Sequence, residues 1–274
     1  MPGGRLPDGT CLLTGVCVMG ATEPHELRAT AESFGVDAAR YDRARPRYPE
    51  ELIDRLAIAG SEVLDVGTGT GIVARQLQER GKAVLGVEPD ERMAEFARRQ
   101  NVDVEVASFE TWDAKGRTFD AVVSGQAWHW VDPVEGAKKA AEVLRPGGVL
   151  VLFWHLFVPP RDIARAFGEA FTRAVPESPI KFDATKAPTP DAYRPLIEKT
   201  FSSGWNEPQK HEYRWQQNYS RDEYLDLLPT QGVLTRVSEQ QRNAVLTAVG
   251  AVIDARGGQF TCDYTTVLFT AAKS

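Results

Sequence analysis

The chain has 274 residues, of which 42% are hydrophobic and 26% charged, an ordinary globular balance with enough apolar residues for a sizeable core. Its formal net charge of -6 argues against a protein that holds nucleic acid by the phosphates, because such binding usually takes a basic surface. No apolar run is long enough to span a membrane, and three cysteines give no disulfide framework. We therefore expect free thiols, a cytoplasmic location, and neither nucleic acid nor a membrane as partner.

The N-terminal region carries an apolar stretch, Cys11–Gly20, preceded by a single basic residue, which is unlike a secretory signal. We expect residues 1–24 to form a flexible extension and residues 25–274 to form a single domain. From Glu62 onward, short apolar runs alternate with helical stretches. Strands are predicted at 62–66, 83–87, 102–107, 119–124 and 149–154, and helices at 72–80, 90–99 and 133–144. This alternation predicts right-handed βαβ units and a parallel sheet.

The pattern changes after residue 155, where prolines crowd positions 159–195. Helical pieces are predicted at 163–174, 190–200, 221–228 and 239–255, and extended stretches at 209–219 and 258–271. We expect the two extended stretches to close the sheet as an antiparallel pair. The domain would then consist of a core at about 50–155, these closing strands, and cap elements at about 156–208 and 220–257. Such a cap would lie over the sheet edge where open α/β proteins bind ligands.

The segment VLDVGTGTG at 63–71 runs from an apolar strand through three alternating glycines into a predicted helix. Glycines permit left-handed turns and close approach of a ligand, and the helix start offers free N–H groups. The dinucleotide fingerprint G-x-G-x-x-G does not fit, because Ile72 stands where its third glycine is needed. Asp65, inside the strand end, would repel a pyrophosphate but suits a ligand with an ammonium or sulfonium group.

Glu88 ends the next predicted strand, where an acid is placed to accept hydrogen bonds from both hydroxyls of a ribose. Taken alone, Glu88 is better explained as a solvated acid at a strand end. Combined with the glycine turn and the βαβ context, it favours a nucleoside-binding site. Pro89 and Met93 are then expected to flank the adenine.

These residues resemble the class I S-adenosylmethionine-dependent methyltransferases, in the type 11 small-molecule branch, over about residues 34–155. LDVGTGTG is similar to the first motif of that family and GVEPD to its acidic second strand, while 119–132 and 144–154 are similar to its fourth- and fifth-strand motifs. The resemblance implies an α/β, Rossmann-like fold with a mostly parallel seven-stranded sheet, helices on both faces, and a helical cap inserted after the fifth strand. It implies S-adenosylmethionine as cofactor and S-adenosylhomocysteine as product. The cofactor-binding residues that it implies in the core are Asp65, Gly67, Thr68, Gly69, Gly71, Glu88, Pro89, Met93, Ser108, Phe109, Glu110, Ser124 and Gln126.

A second signature lies upstream, where YDRARPRYP at 41–49, together with His-Trp at 129–130, is similar to trans-aconitate methyltransferases and their relatives. By this resemblance Tyr41 covers the methionine end of the cofactor and Arg45 meets its carboxylate, which a guanidinium fork binds well. Arg43 and Arg47 are expected to be solvated. The resemblance thins beyond residue 155, so it does not identify the acceptor.

Methyl transfer from a sulfonium is an in-line displacement that needs orientation rather than a metal, and the sequence shows no metal-ligand spacing. His129 is the candidate catalytic base, and a structural histidine that packs an aromatic loop is the alternative. His155 is a weaker candidate. We expect a small-molecule acceptor such as a carboxylate, a phenol or a quinol-type compound. Two other functions stay open at this point: a nicotinamide-dependent oxidoreductase and a non-catalytic S-adenosylmethionine-binding protein.

Overall fold

The structure is a computed structural model that describes residues 9–11, 17–19, 25, 32–178, 180–182 and 187–274. The strands are β1 Gly9–Cys11, β2 Cys17–Met19, β3 Glu62–Val66, β4 Ala83–Glu88, β5 Asp103–Val106, β6 Phe119–Gly125, β7 Leu144–Val158, β8 Ile180–Lys181, β9 Gln209–Ser220 and β10 Gln259–Ala272. The α-helices are α1 Ala38–Ala44, α2 Glu50–Ile58, α3 Ile72–Gln78, α4 Glu91–Arg99, α5 Pro133–Val143, α6 Arg161–Ala174, α7 Arg194–Thr200, α8 Arg221–Leu227, α9 Gly232–Thr235 and α10 Glu239–Ala255. Among these residues, no helix is long and apolar enough to cross a membrane.

The central sheet has seven strands in the order β5-β4-β3-β6-β7-β10-β9. β3 lies between β4 and β6 and pairs in parallel with both, and β7 pairs in parallel with β6. Parallel strands are covered on both faces, which explains why β3 and β6 are apolar along most of their length rather than alternating. An antiparallel pair lies at the edge of the sheet. The predicted mostly parallel, Rossmann-like fold is therefore confirmed.

The chain divides into two compact units. The core unit comprises Gly35–His155, Tyr193–Tyr213 and Thr265–Ser274. Its apolar core gathers residues of helices α2 to α4 and of strands β3 to β7. Helix α2, for example, buries Leu52, Ile53 and Leu56, which share one face of a helix because they are spaced by one, three and four residues. All the predicted site residues belong to this unit.

The second unit comprises the described parts of Met1–Phe34 together with Leu156–Ala192 and Arg214–Tyr264. Within it, α6 packs on α10. The rings of Phe167 and Phe171 each lie 5.0 Å from that of Phe182. β1 pairs with β2 in antiparallel fashion and with β8 in parallel. Most of the predicted flexible extension lies outside the described residues, and its extent, like the single domain at 25–274, stays a prediction.

The fifth strand of the parallel series differs from the prediction in its first residues. β7 begins at Leu144 rather than at the predicted Val149, so the RPGG segment at 145–148 belongs to the strand. Leu144 pairs with Phe119, and a register shift between Phe119 and Ala121 absorbs the extra residues. The helices α1 and α2 were not predicted. Asp90 caps helix α4, since its side chain accepts a hydrogen bond from the backbone N–H of Arg92.

Candidate active site

The turn between β3 and α3 contains three glycines with positive φ: Gly67, Gly69 and Gly71, at 66°, 56° and 85°. We call residues 65–71 the glycine loop. The backbone N–H of Gly67 donates to the carbonyl oxygen of Val87 over 2.8 Å, which ties the loop to the end of β4. A Cβ at Gly67 would lie 2.4 Å from that of Ala127, so space as well as φ requires glycine there.

Gly69 differs from Gly67 because a Cβ on it would meet no atom of the described residues within 4 Å. Its N–H donates to Glu88 Oε2 at 2.9 Å. The neighbouring Thr70 is buried, and its hydroxyl has no hydrogen-bond partner within the described part of the chain. Open space beside a glycine backbone, next to a buried polar group that lacks a partner, fits a loop that receives a ligand.

Asp65 is a buried carboxylate at the end of β3, with 1% of its surface exposed. Its Oδ2 accepts a hydrogen bond of 2.7 Å from the Thr68 hydroxyl. Burial raises the pKa of Asp65 to about 7, although this bond and one from the backbone of Ala74 act in the opposite direction. Because these two hydrogen bonds do not offset the cost of burying the charge, a positively charged ligand group would stabilise the ionised carboxylate.

Glu88 is the second buried carboxylate, at the end of β4. Its Oε1 and Oε2 accept the backbone N–H groups of Asp90 and Gly69, each at 2.9 Å. Burial raises the pKa of Glu88 to about 7, against the lowering effect of these two bonds. Each carboxylate oxygen can accept more than one hydrogen bond, so further donors such as neighbouring hydroxyls fit its chemistry. Of the residues predicted beside it, Pro89 is exposed and Met93 is buried.

The three residues predicted after the third strand have different environments. Phe109 is buried, with its ring centroid 6.0 Å from that of Trp128. Glu110 Oε1 accepts the N–H of Asp132 over 3.0 Å, just before helix α5 begins. Ser108 is partly buried. Phe109 and Glu110 therefore have contacts within the protein that explain them without a ligand, and their cofactor role stays a prediction.

Ser124 and Gln126 lie at the end of β6. The buried Ser124 hydroxyl donates to the carbonyl of Val66 at 2.9 Å, which joins β6 to the start of the glycine loop. Gln126 has a φ of 59°, unusual for a residue other than glycine, and its N–H donates to the carbonyl of Phe153 at 2.9 Å. Such backbone conformations persist where the surrounding structure enforces them, often at functional sites. The turn carrying His129 follows directly.

The N-terminal signature segment approaches the same region. The Arg45 guanidinium lies 4.8 Å from the centroid of the Tyr41 ring, a cation–π arrangement. Beyond it, the Gln76 side chain accepts from the backbone N–H of Tyr48 at 3.0 Å and donates to the carbonyl of Tyr48 at 2.9 Å. This pair of buried hydrogen bonds fixes the segment to helix α3, directly after the glycine loop.

The two other arginines of the segment lie at the surface. Arg47 forms an exposed ion pair with Glu79, with its Nη2 2.6 Å from Oε2. Arg43 is exposed in helix α1. Both placements agree with the expectation that these arginines are solvated.

Five aromatic side chains of the core unit form what we call the aromatic cluster: Tyr48, His129, Trp154, His155 and Tyr193. Tyr48 stacks on His155 with 4.3 Å between ring centroids, and Trp154 stacks on Tyr193 at 4.2 Å. The indole Nε1 of Trp154 donates to Nδ1 of His129 over 3.2 Å. The predicted catalytic residue is thus joined to the stacked pair of Trp154 and Tyr193 by a hydrogen bond.

Of the two histidines of the cluster, His155 is buried and His129 is partly buried. Burial lowers the pKa of His129 to about 4. For His155, burial and then the charge of Arg45 lower the pKa to about 3. Nδ1 of His155 lies 2.8 Å from the Thr266 hydroxyl on β10, which gives His155 a structural contact. Both imidazoles are therefore neutral at physiological pH.

Gln76, Tyr48 and Tyr193 were not predicted as site residues. Gln76 stands in a helix that was predicted, and its complete burial has no signal in the sequence. Tyr48 was noted only as part of the signature. Tyr193 lies within the proline-rich stretch, which carries no periodicity that would place a side chain. Across the described residues, no group of three or more His, Cys, Asp or Glu is placed to hold a metal ion.

Comparison with known proteins agrees with this arrangement. Residues 64–152 match the family model described as a methyltransferase domain. An uncharacterized methyltransferase of Mycobacterium tuberculosis (strain ATCC 25618 / H37Rv) is 32% identical over 221 residues, which cover 79% of this chain and 84% of that protein. A ubiquinone biosynthesis O-methyltransferase of Methylocella silvestris is 26% identical over 186 residues, which cover 55% of this chain and 69% of that protein.

Solved structures show the same fold. A protein of Anaeromyxobacter dehalogenans assigned as a type II methyltransferase superposes with a TM-score of 0.56 at 21% identity, covering 82% of this chain and 97% of that one. Phosphoethanolamine N-methyltransferase 2 of Haemonchus contortus, solved in complex with S-adenosyl-L-methionine, has a TM-score of 0.51 at 15% identity, covering 94% and 61%. With the glycine loop, the two buried acids and the mycobacterial relative, these findings show that the chain belongs to the class I S-adenosylmethionine-dependent methyltransferases.

Proposed function

We propose that the chain methylates a small molecule, with a carboxylate, a phenol or a quinol-type compound as acceptor. The observation that carries the cofactor half of this proposal is the open space beside Gly69, next to the buried carboxylates Asp65 and Glu88. A positively charged ligand that also carries vicinal hydroxyls suits both acids. S-adenosylmethionine has these two features in one molecule.

In this proposal Glu88 accepts the ribose hydroxyls, and Asp65 stabilises the positive charge at the methionine end. Arg45 is expected to bind the methionine carboxylate, because its guanidinium lies on Tyr41 and its charge acts on His155. Gln76 holds the backbone of Tyr48 and so keeps this segment against helix α3. Met93, Ser108, Phe109 and Glu110 are proposed as the side of the site nearest the adenine.

The sulfonium of the bound cofactor supplies an activated methyl group, whose carbon bonds to the acceptor while the carbon–sulfur bond breaks and its electron pair remains on sulfur. The protein's share is to orient the acceptor and to exclude water, which contributes about 7–11 kcal/mol in favourable intramolecular cases. The aromatic cluster suits this task because its members are packed and its histidines are uncharged at neutral pH.

The names of the relatives support a small acceptor without choosing its nucleophilic atom. The Methylocella protein is named as an O-methyltransferase of ubiquinone biosynthesis. The Haemonchus structure is of an N-methyltransferase, but at 15% identity it supports the fold alone. An oxygen acceptor is therefore the better supported of the two.

Calorimetry with S-adenosylmethionine, S-adenosylhomocysteine and NAD tests the cofactor part, and we expect micromolar binding of the first two. Tighter binding of NAD would overturn it. The acceptor part is tested by screening carboxylates, phenols, amines and quinol precursors for release of S-adenosylhomocysteine. Binding of the cofactor without product from any acceptor class would favour a non-catalytic binding protein instead.

A further inference from the structure

The hydrogen bond between Trp154 and His129 fixes which nitrogen of the imidazole carries the proton. An indole N–H is a donor only, so the nitrogen 3.2 Å from it, Nδ1 of His129, must present its lone pair. In a neutral imidazole the proton then resides on Nε2. His129 therefore offers a donor at Nε2 and has no free lone pair on Nδ1.

The indole that imposes this tautomer is itself held in place. Trp154 is fully buried, and one face stacks on Tyr193 with an interplanar angle of 19°. Phe269 of β10 packs against it edge to face, with centroids 6.4 Å apart. In an interior packed this closely the indole cannot rotate away without opening a cavity. Trp154 is thus a positioning residue that acts through His129.

The surroundings of His129 keep the ring neutral. Burial alone accounts for its lowered pKa, and no charged group within the described chain contributes to the shift. The neighbouring ring of Trp130, 4.7 Å away, and that of Trp154 do not titrate. A ring whose pKa is about 4 and whose Nδ1 accepts from the indole is poorly suited to take a proton from an acceptor at neutral pH.

A second donor lies beside the same indole. The Tyr193 hydroxyl is buried, with 3% of the residue's surface exposed, and has no hydrogen-bond partner among the described residues. Burial holds the pKa of Tyr193 well above its usual value, so the hydroxyl keeps its proton. A buried hydroxyl left without a partner destabilises the folded protein, and an oxygen atom of a bound ligand would satisfy it.

We propose that His129, through its Nε2–H, and Tyr193, through its hydroxyl, bind an oxygen of the methyl acceptor as neutral donors, and that the acceptor arrives with an anionic oxygen as its nucleophile. This inference rests on the proposed function. Carboxylates and acidic phenols share the required chemistry, because they lose their proton to solvent before they bind. The anionic oxygen then supplies the electron pair of the new bond to carbon, and no proton has to leave during transfer.

Nitrogen-15 NMR of histidine-labelled full-length protein reads the tautomer without turnover. The chain has four histidines, and His129→Gln identifies the resonances of His129 by their loss. We expect the Nε2-protonated pattern, with no titration between about pH 5.5 and about pH 9. A Nδ1-protonated pattern, or a midpoint within that range, would overturn the proposal. Trp154→Phe should release the tautomer preference, and an unchanged pattern there would remove Trp154 from its positioning role.

A matched pair of variants separates a donor from a base. The amide of His129→Gln places an N–H near the position of Nε2, whereas that of His129→Asn reaches only the position of Nδ1. For a donor, His129→Gln should keep kcat within about fivefold of the wild type and His129→Asn should lose at least about tenfold. For a base, both should lose about a hundredfold or more. Equal large losses would therefore overturn the donor role.

Three probes of similar size identify the kind of anion: benzoate, 4-nitrophenol and phenol. Benzoate and 4-nitrophenol are largely ionised at mildly alkaline pH, whereas phenol ionises near pH 10, as tyrosine does. We expect S-adenosylhomocysteine from one or both of the first two, and from phenol only as the pH approaches its own pKa. Two outcomes would overturn the assignment. One is methylation of phenol at neutral pH as fast as that of 4-nitrophenol, and the other is methylation of none of the three probes by a protein that binds the cofactor. Absence of cofactor binding would instead overturn the proposed function and leave the NMR result readable.

Discussion

The glycine loop and the aromatic cluster lie in the same unit and differ in how they handle protons. The glycine loop contains one buried acid, Asp65, and lies beside another, Glu88, and burial raises the pKa of each to about 7. In the aromatic cluster, burial lowers the pKa of His129 to about 4 and holds that of Tyr193 well above its ordinary value. Near neutral pH Asp65 and Glu88 therefore exchange protons with solvent, whereas His129 and Tyr193 do not.

The same physical cause, burial, has opposite consequences in the two regions because it always disfavours the charged form. A carboxyl that keeps its proton in the free protein can lose it when a cationic ligand arrives. A buried imidazole or phenol stays neutral and serves as a donor. We therefore expect pH to act on cofactor binding through the protein, and on the acceptor step through the acceptor itself.

The largest effect is expected from Gly69→Ala, which places a methyl group in the space beside the glycine loop. A φ of 56° strains any side chain, at a cost of about 1–2 kcal/mol in stability. The added Cβ meets no described atom of the protein and would collide only with a ligand. Calorimetry should show a dissociation constant for S-adenosylhomocysteine that is raised about a hundredfold or more, equivalent to about 2.7 kcal/mol.

Gly81→Ala is the matched control for this substitution. Gly81 also has a positive φ, 74°, and a Cβ there likewise meets no described atom. Both variants should lose similar thermal stability, and only Gly69→Ala should lose affinity. Equal affinities in the two variants would show that the cofactor does not approach the glycine loop.

The glycine loop could be predicted from sequence and the aromatic cluster only in part, for a physical reason. Residues 65–71 form the loop by their own turn chemistry, so three glycines after an apolar strand are sufficient to indicate it. The aromatic cluster brings together residues from distant parts of the chain through packing. His129 was proposed because it follows a predicted strand, but its bond to Trp154 depends on how β6 and β7 lie side by side.

Two features show where local sequence patterns stopped being informative. The fifth strand was predicted to begin at Val149, but β7 begins at Leu144, which pairs with Phe119. Tyr193 precedes helix α7 and packs on Trp154, a contact between residues far apart in sequence. Helix and strand patterns identify which faces are apolar, whereas such pairings are set by the tertiary structure.

The second prediction concerns Glu88→Ala. The substitution removes the carboxylate proposed to accept the ribose hydroxyls, and it also leaves the N–H of Gly69 without its acceptor. We expect cofactor affinity to fall by about 1–3 kcal/mol, the usual cost of unpaired buried hydrogen-bonding groups. Calorimetry at a fixed pH of about 8 keeps the carboxyl of the wild type ionised for the comparison.

Glu105→Ala serves as the control. Like Glu88, Glu105 lies on a strand of the sheet, but its carboxylate is paired with an arginine. It pairs with Arg117 at 2.9 Å and is partly exposed. Its loss should leave cofactor affinity unchanged. If Glu88→Ala binds as tightly as Glu105→Ala does, Glu88 has no part in binding ribose.

The third prediction follows from the raised pKa values of Asp65 and Glu88. A ligand that favours the ionised carboxylates must displace protons, so affinity should weaken as the pH falls through about 7. For each carboxyl that takes part, we expect the dissociation constant to be about tenfold larger at pH 6 than at pH 8. Calorimetry in buffers of different ionisation enthalpy should show proton release on binding at pH 7, and absence of release would contradict the assignment.

The stability of the unliganded protein should change with pH in the opposite direction to the cofactor affinity. Because the folded protein holds these two protons more tightly than the unfolded chain, the free energy of unfolding should fall as the pH rises between about 4 and about 7. This contribution is present in full below the ordinary carboxyl pKa and is lost above pH 7. Saturating cofactor should reduce the slope, which thermal melts across that pH range can measure.

The smallest effect on cofactor binding is expected from His129→Ala, which tests whether the two regions are separate. His129 contacts Trp154 and Trp130, and none of its contacts in the described part of the chain is with the glycine loop. The affinity for S-adenosylhomocysteine should therefore stay within about threefold, less than 1 kcal/mol. Turnover should fall by about tenfold, as for the loss of one neutral hydrogen bond, and the pH profile should keep the shape set by the acceptor.

A basic limb present in the wild type and absent from the variant would restore the role of general base. A melting temperature far below that of the wild type would instead identify His129 as a residue that holds the Trp128–Trp130 turn together, because its loss would leave the buried indole of Trp154 without an acceptor.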